Sequence, residues 1–247
     1  MRKSHWLLER QVRRLARRKI IYVIVEGPSD DEALGVILQR LFAAQEVFVE
    51  ITHGDITSDR RMNAGRIVSK VGELVKAYAK SNHYTQSDFL EVIHIMDTDG
   101  AYISDDRVVK NATISGPRYT LTSIETNRPD QIIERNHRKS SMMDRLQVQN
   151  KVWTSIPYRA YYMSCNLDHV LYDKLNSSDE DKEKNAYRFA MKYKDHLQDF
   201  LRFICDSDFA AVKDYSESWN FIHQDLHSLE RHSNLGLCFE SIRQNLR

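Results

Sequence analysis

Cysteine, glycine and proline are all scarce in this chain, and each shortage removes a class of protein. Three cysteines in 247 residues, Cys165, Cys205 and Cys238, are odd in number, far apart and without a CxxC spacing. Neither a disulfide framework nor a structural zinc site is built on such a set, and a reducing, cytoplasmic setting fits it. Only 8 glycines and 4 prolines leave little room for long disordered tracts. No apolar run approaches the roughly 18 to 20 residues that cross a bilayer, and no signal-peptide core follows the first charges, so a soluble protein with no membrane partner is expected. An excess of charge is missing too. The net charge is +1, so affinity for nucleic acid has to come from local patches. There is no internal repeat.

What is present is an ordinary globular composition over a length that suits one large domain, or one domain with an appended module. The first local patch is residues 1–19. Leu8, Val12 and Leu15 recur at helical spacing, while Arg10, Arg13, Arg14, Arg17 and Arg18 fall on the other side of the wheel. Such a basic helix is either a solvated face or a phosphate-contacting one, with Arg13, Arg14 and Arg17 as the nucleic-acid candidates.

The run "IIYVIV" (20–25) is the pattern of a strand covered on both faces. A helix over 30–42 follows, capped by Ser29 or Asp30, with Ala33, Leu34, Ile37, Leu38 and Leu41 on its inner face. Strand "VFVEI" (47–51), a helix over 67–78 and strand "LEVIHIM" (90–96) repeat the order. This alternation predicts an α/β fold, a mostly parallel sheet flanked by helices. Periodicity weakens over about 101–155, which reads as an insertion with short helices, rich in Arg118, Arg128, Arg135, Arg138, Lys139 and Arg145. "YRAYYMS" (158–164) returns the chain to the sheet as a fourth strand and completes a core over 20–165. The remainder, 166–247, is mainly helical: "LDHVLYDKL" starts a helix, "NSSDEDKEKN" reads as a solvated loop, and Phe189, Tyr193, Leu197, Phe200, Leu201 and Ile204 carry helical spacing.

Functional groups in parallel sheets collect beyond the carboxyl ends of the strands, and two such ends are acidic here. Glu26 and Asp30 follow the first strand; Asp97 and Asp99, in "MDTDG", follow the third, where an extended backbone would point both the same way before Gly100 turns. Carboxylates crowded together repel unless protonated or bridged by a cation. Oxygen-only ligation favours Mg²⁺ or Mn²⁺ over zinc. Asp30 is also placed to cap its helix, Asp31 and Glu32 to face solvent, and Asp55 to organise a turn or stand behind the site. His94, Trp153, Tyr161 and Tyr162 read as core.

"VIVEGPSDDEAL" followed about seventy residues later by "IHIMDTDG" resembles the Toprim domain, whose signature is a glutamate after its first strand and a DxD pair after its third. Within it the pattern resembles the OLD-type nucleases and related small Toprim effectors of bacterial anti-phage systems. The resemblance implies a Mg-dependent endonuclease cutting DNA or RNA, an antiviral, abortive-infection effector. Glu26, Asp97 and Asp99 would be catalytic, and Asp30 and Asp168 would join them as metal ligands. Asp168 reads equally as a cap or surface acid. Lys139, Arg138 and Arg159 are the candidates for a basic group completing the site, Arg138 and Lys139 also for nucleic-acid contact. No ATPase domain like that of the OLD enzymes is present, which implies a separate ATPase or sensor protein as partner and admits a homo-oligomer. The alternative is a non-catalytic nucleic-acid-binding or regulatory subunit with a degenerate Toprim core.

Overall fold

The computed structural model describes residues 19–43, 47–53, 56–211, 214–240 and 242. The basic stretch with Arg13, Arg14 and Arg17 lies outside the described residues, as does Asp55.

Strand β1 (Lys19–Val25) explains its own lack of polar residues. Ile21, Val23 and Val25 enter one core and Ile20, Tyr22 and Ile24 another, on the opposite face. Around it run β2 (Val47–His53), β3 (Phe89–Asp97), β7 (Lys151–Val152) and β8 (Ile156–Met163), in the order β2-β1-β3-β8-β7. The first four are mutually parallel; β7 pairs antiparallel with β8 at the edge. Helices α1 (Pro28–Ala43), α5 (Asp179–Tyr193) and α6 (Leu197–Asp206) cover one face through Leu34, Ile37, Phe189, Phe200 and Ile204. Helices α2 (Ile67–Ser81), α3 (Pro129–Gln147) and α7 (Tyr215–Ile222) cover the other through Val71, Val75, Met143, Leu146 and Trp219. Each such side chain, fully buried, contributes about 1.5–3 kcal/mol of transfer free energy, so both faces hold the sheet. The result is the expected α/β fold, consistent with a Toprim-like arrangement, with a mainly helical region after the sheet. Among the described residues no helix is long and apolar enough to cross a membrane.

Two expectations need correction. The insertion is not a set of short helices: it holds a small sheet, β4 (Val108–Lys110), β5 (Arg118–Tyr119) and β6 (Ile124–Thr126), then the 19-residue α3. Helix α3 hides from pattern reading because its buried stripe is Asn136, Lys139, Met142, Met143 and Leu146, with polar residues where an apolar period is sought. The acidic stretch read as a loop is mostly helix. Ser178 caps α5 by accepting from the Asp181 N–H, and Asp179, Glu180 and Asp181 favour the positive end of its dipole.

Because β1, β3 and β8 run parallel, their carboxyl ends share one edge. Asp97 lies opposite Met163, and the alignment continues past the strands: the Thr98 N–H donates to Met163 O (2.9 Å) and the Asp99 N–H to Cys165 O (2.7 Å). The Thr98 hydroxyl donates to Ser228 O (2.8 Å) while accepting from the Cys165 N–H (2.8 Å). Short α4 (Leu167–Tyr172) leaves from this edge.

Candidate active site

Glu26 is the first residue after β1, and one of its oxygens gathers three elements. Oε1 accepts from the Asp97 N–H at 3.1 Å, the Thr57 hydroxyl at 3.2 Å and Lys139 Nζ at 3.2 Å. Thr57 lies beyond β2 and Lys139 on α3, so the glutamate ties the ends of β1 and β3 to the insertion helix.

Asp99 does not continue the strand. Its φ is +51° and that of Gly100 is +66°, so the chain turns one residue earlier than the extended DxD expected from sequence. Left-handed backbone at a non-glycine residue costs of order 1 kcal/mol or more and persists only where its surroundings hold it. Here Cys165 O, Arg135 and Lys139 do so. Arg135 Nη2 donates to Asp99 O (2.8 Å), its Nη1 to the Tyr119 hydroxyl (2.8 Å), and Lys139 Nζ donates to Asp99 Oδ2 (2.5 Å). At Gly100 a Cβ would stand 2.6 Å from Leu229 Cδ2 and 3.0 Å from Ile124 Cδ1. Gly100→Ala should therefore cost about 2–4 kcal/mol, backbone strain plus overpacking. Chemical denaturation checks this, and a loss under about 1 kcal/mol would show the turn to be less constrained.

The charges are unequal in their fates. Burial alone would raise the Asp99 carboxyl, but Lys139, Arg135 and hydrogen bonds from Lys139 and Tyr119 bring it below its ordinary value. Asp97 goes the other way: burial, then Glu26, Asp30 and Asp99, push it well above the carboxylate range against the pull of Lys139. Its carboxylate receives no hydrogen bond among the described residues, although its backbone N–H is used by Glu26.

Asp30, at the third position of α1, reaches back to accept from the Gly27 N–H (2.9 Å), the reciprocal half of a helix cap. The helix begins at Pro28, so neither Ser29 nor Asp30 is its N-cap as the sequence suggests; burial still raises the Asp30 carboxyl, which belongs to the acidic group. Asp168 stands beyond it. The cap of α4 is Asn166, which accepts from the His169 N–H at 2.8 Å, so Asp168 is neither the cap nor a surface acid: it is 7% exposed. Its carboxyl is raised to about 6, chiefly by burial, with Lys182 opposing and Asp30 adding. Asp30 is thus the carboxylate that both Asp97 and Asp168 feel.

Glu26, Asp30, Asp97, Asp99 and Lys139 are brought together, and Asp168 adjoins them. Of the three basic candidates, Lys139 is the one in contact, fully buried between Glu26 and Asp99. Arg138 faces away into a neighbouring cleft. Arg159 is exposed within β8 and lies over the Tyr215 ring at 5.3 Å. Asp31 faces solvent as expected while meeting His53 at 3.1 Å, and Glu32 is exposed. His94 is core, hydrogen-bonded to Tyr158 (2.8 Å) and lowered to about 3 by burial and Lys139. Tyr161 and Tyr162 are buried on opposite faces of the sheet, and Trp153 packs against the core that holds Tyr162. Thr57, Tyr119 and Arg135 were missed as site residues. Only Arg135 left a sequence trace, one turn before Lys139 on the same helix.

A scan of protein-family models, a search of curated proteins and a search of solved structures each find no match to this chain.

The donor set suits a hard divalent cation: oxygen ligands only, and more carboxylates than Lys139 and Arg135 neutralise, with Asp97 left unbonded. In this arrangement no three His, Cys, Asp or Glu side chains among the described residues already converge as a metal-holding group, and Lys139 Nζ stands between two of the carboxylates.

Proposed function

We propose that the chain is a divalent-metal-dependent phosphodiesterase acting on DNA or RNA, with Mg²⁺ or Mn²⁺ as cofactor. The observation that carries this reading is the convergence of Glu26 and Asp99, from the ends of two adjacent parallel strands, on one buried lysine, with Asp97 held beside them through its N–H bond to Glu26. Glu26, Asp97 and Asp99 would hold the cation, with Asp30 and Asp168 extending the set. When bound, it supplies an activated water and positive charge against the phosphate oxygens. Lys139 holds the Glu26 and Asp99 carboxylates relative to each other and contributes fixed positive charge where negative charge develops on the phosphate. Arg135 and Tyr119 hold Asp99 in its left-handed turn. The sequence resemblance extends the reading to an antiviral effector in the cytoplasm, working with a separate ATPase or sensor protein. Incubating the protein with mixed single- and double-stranded DNA and RNA, with and without Mg²⁺, tests it: absence of metal-dependent cleavage of any of them would sink it.

Asp168 allows a sharper test. Its folded value of about 6 lies above the roughly 3.9 of an unfolded aspartate. The stabilising contribution is therefore complete below about pH 4 and lost as pH rises through 6. In chelator, Asp168→Asn should unfold at a higher temperature than the parent at pH 7.5 and nearly the same temperature at pH 4. Cleavage should need roughly tenfold more Mg²⁺, with Mn²⁺ restoring part of it. Full activity of the variant at limiting Mg²⁺ removes Asp168 from the site.

A second reading, a binding or regulatory subunit without catalysis, is favoured by one observation: Lys139 already compensates Glu26 and Asp99 without a metal. It predicts strand binding with no cleavage and no thermal shift on adding Mg²⁺.

A further inference from the structure

Beside the carboxylates lies a cleft of about 520 Å³ whose chemistry is of the opposite sign. Its walls carry Arg60, Arg128, Arg135 and Arg138 against one acid, Glu134. Arg60 and Arg128 are exposed and make no ion pair among the described residues. Arg138 is mostly buried; its Nη1 lies 3.5 Å from Glu134, which is 79% exposed, and its Nε is buried with no hydrogen-bond partner. An exposed carboxylate at that distance compensates little, so the charge of Arg138 remains available to an anion in the cleft. The first turn of α3 forms part of the same wall, and Arg128 at its start makes no side-chain cap. The positive end of its helix dipole adds to the attraction for an anion.

Position gives this charge a use. Arg135 lines the cleft and also donates to Asp99 O. Ser58, on the opposite side, follows Thr57, whose hydroxyl bonds Glu26. The cleft therefore opens next to the acidic site, and its volume suits a ligand of nucleotide size.

We propose that this arginine cleft seats a phosphate of the substrate strand, next to the phosphodiester that is cut at the carboxylates. The proposal rests on the phosphodiesterase reading for its substrate, but its own content is strand binding by Arg60, Arg128 and Arg138. Guanidinium groups suit the task because their planar forks meet phosphate oxygens with two parallel hydrogen bonds. The sign alternation also solves a problem of the carboxylate site, which by itself would repel a polyanion.

The test is binding in chelator, where no cutting occurs: fluorescence anisotropy of short labelled single-stranded DNA and RNA across a salt series. Arg60→Gln/Arg128→Gln removes two exposed, unpaired side chains and should leave the fold intact. Its log-log salt slope should fall by about 1.4, at about 0.7 per lost contact, and its Kd should rise at least about tenfold. Arg138→Gln should weaken binding in the same direction. Arg188→Gln/Arg202→Gln, an equal charge loss on α5 and α6, should leave both readouts unchanged. Equal weakening by that control pair would overturn the proposal in favour of diffuse electrostatics, and an unchanged slope and Kd in the cleft variants would overturn it outright. So would a cleft that loses a free nucleoside triphosphate on mutation yet keeps its strand affinity, since it would then serve an effector nucleotide. If the cleft variants lose strand binding but the parent fails to cut with Mg²⁺, the cleft stands and the phosphodiesterase reading falls. If the parent cuts and the variants bind as it does, the reverse holds.

Discussion

Glu26→Gln should abolish metal-dependent cleavage, reducing the rate by at least about 10³-fold, while the protein stays folded. The magnitude follows from removing a charged ligand from a cation whose charge stabilisation is worth several kcal/mol. Glutamine is the right probe because Glu26 Oε1 accepts from the Asp97 N–H, Thr57 and Lys139. An amide oxygen can keep those contacts, whereas alanine would leave a buried N–H and a buried ammonium short of partners, at about 1–3 kcal/mol or more. Losing one negative charge from a group that already drives Asp97 upward relieves repulsion, so metal-free stability should be unchanged or slightly higher. Single-turnover cleavage at saturating Mg²⁺ beside thermal unfolding in chelator measures both quantities. A variant that cuts within tenfold of the parent rate would remove Glu26 from the chemistry.

Lys139→Met should be the most damaging substitution to the fold itself, at about 3–5 kcal/mol near neutral pH, because it removes the partner of buried carboxylates. Lys139 is fully buried and contacts Glu26 and Asp99, and its charge opposes the rise at Asp97. The pH dependence has a definite sign. With Lys139 present, Asp99 is lowered, so its stabilising contribution is present above the unfolded value and lost as pH falls through the folded one. Without Lys139, Asp99 joins the raised carboxylates, and stability falls as pH rises. The gap between parent and variant should therefore be wider at pH 8 than at pH 5. Millimolar Mg²⁺ should narrow it by taking over the missing positive charge. Urea titrations at the two pH values, with and without Mg²⁺, read this directly. A pH-independent gap would mean that Lys139 matters for packing and not for charge.

Helices α1 and α2 and strands β1, β3 and β8 are legible because their apolar residues recur at the period of each element and most of them enter the two cores. Glu26, Asp97 and Asp99 are legible for a related reason: acids at the carboxyl ends of largely apolar strands have no local explanation. Helix α3 is not legible, and the cause is its polar buried face. Asn136 and Lys139 occupy its buried face, and the partners of Lys139, Asp99 and Glu26, lie 40 and 113 positions away. The reading of "NSSDEDKEKN" as a loop failed on weight given to charge over the Ser178 cap.

The sequence by itself determined the α/β order, the parallel sheet and the edge at which the acids collect, because strand burial and crossover handedness depend on local pattern and chain connectivity. It also set which residues are acidic there, and so the need for compensating positive charge. Only the tertiary structure decided how that compensation is arranged. It chose Lys139 over Arg138 and Arg159, turned Asp99 through a left-handed backbone, and gave the capping of α4 to Asn166 so that Asp168 stays buried beside Asp30. Those outcomes depend on distances between residues remote in sequence, and electrostatic energy in a buried site is set by such distances and by burial, neither of which is written in any local pattern.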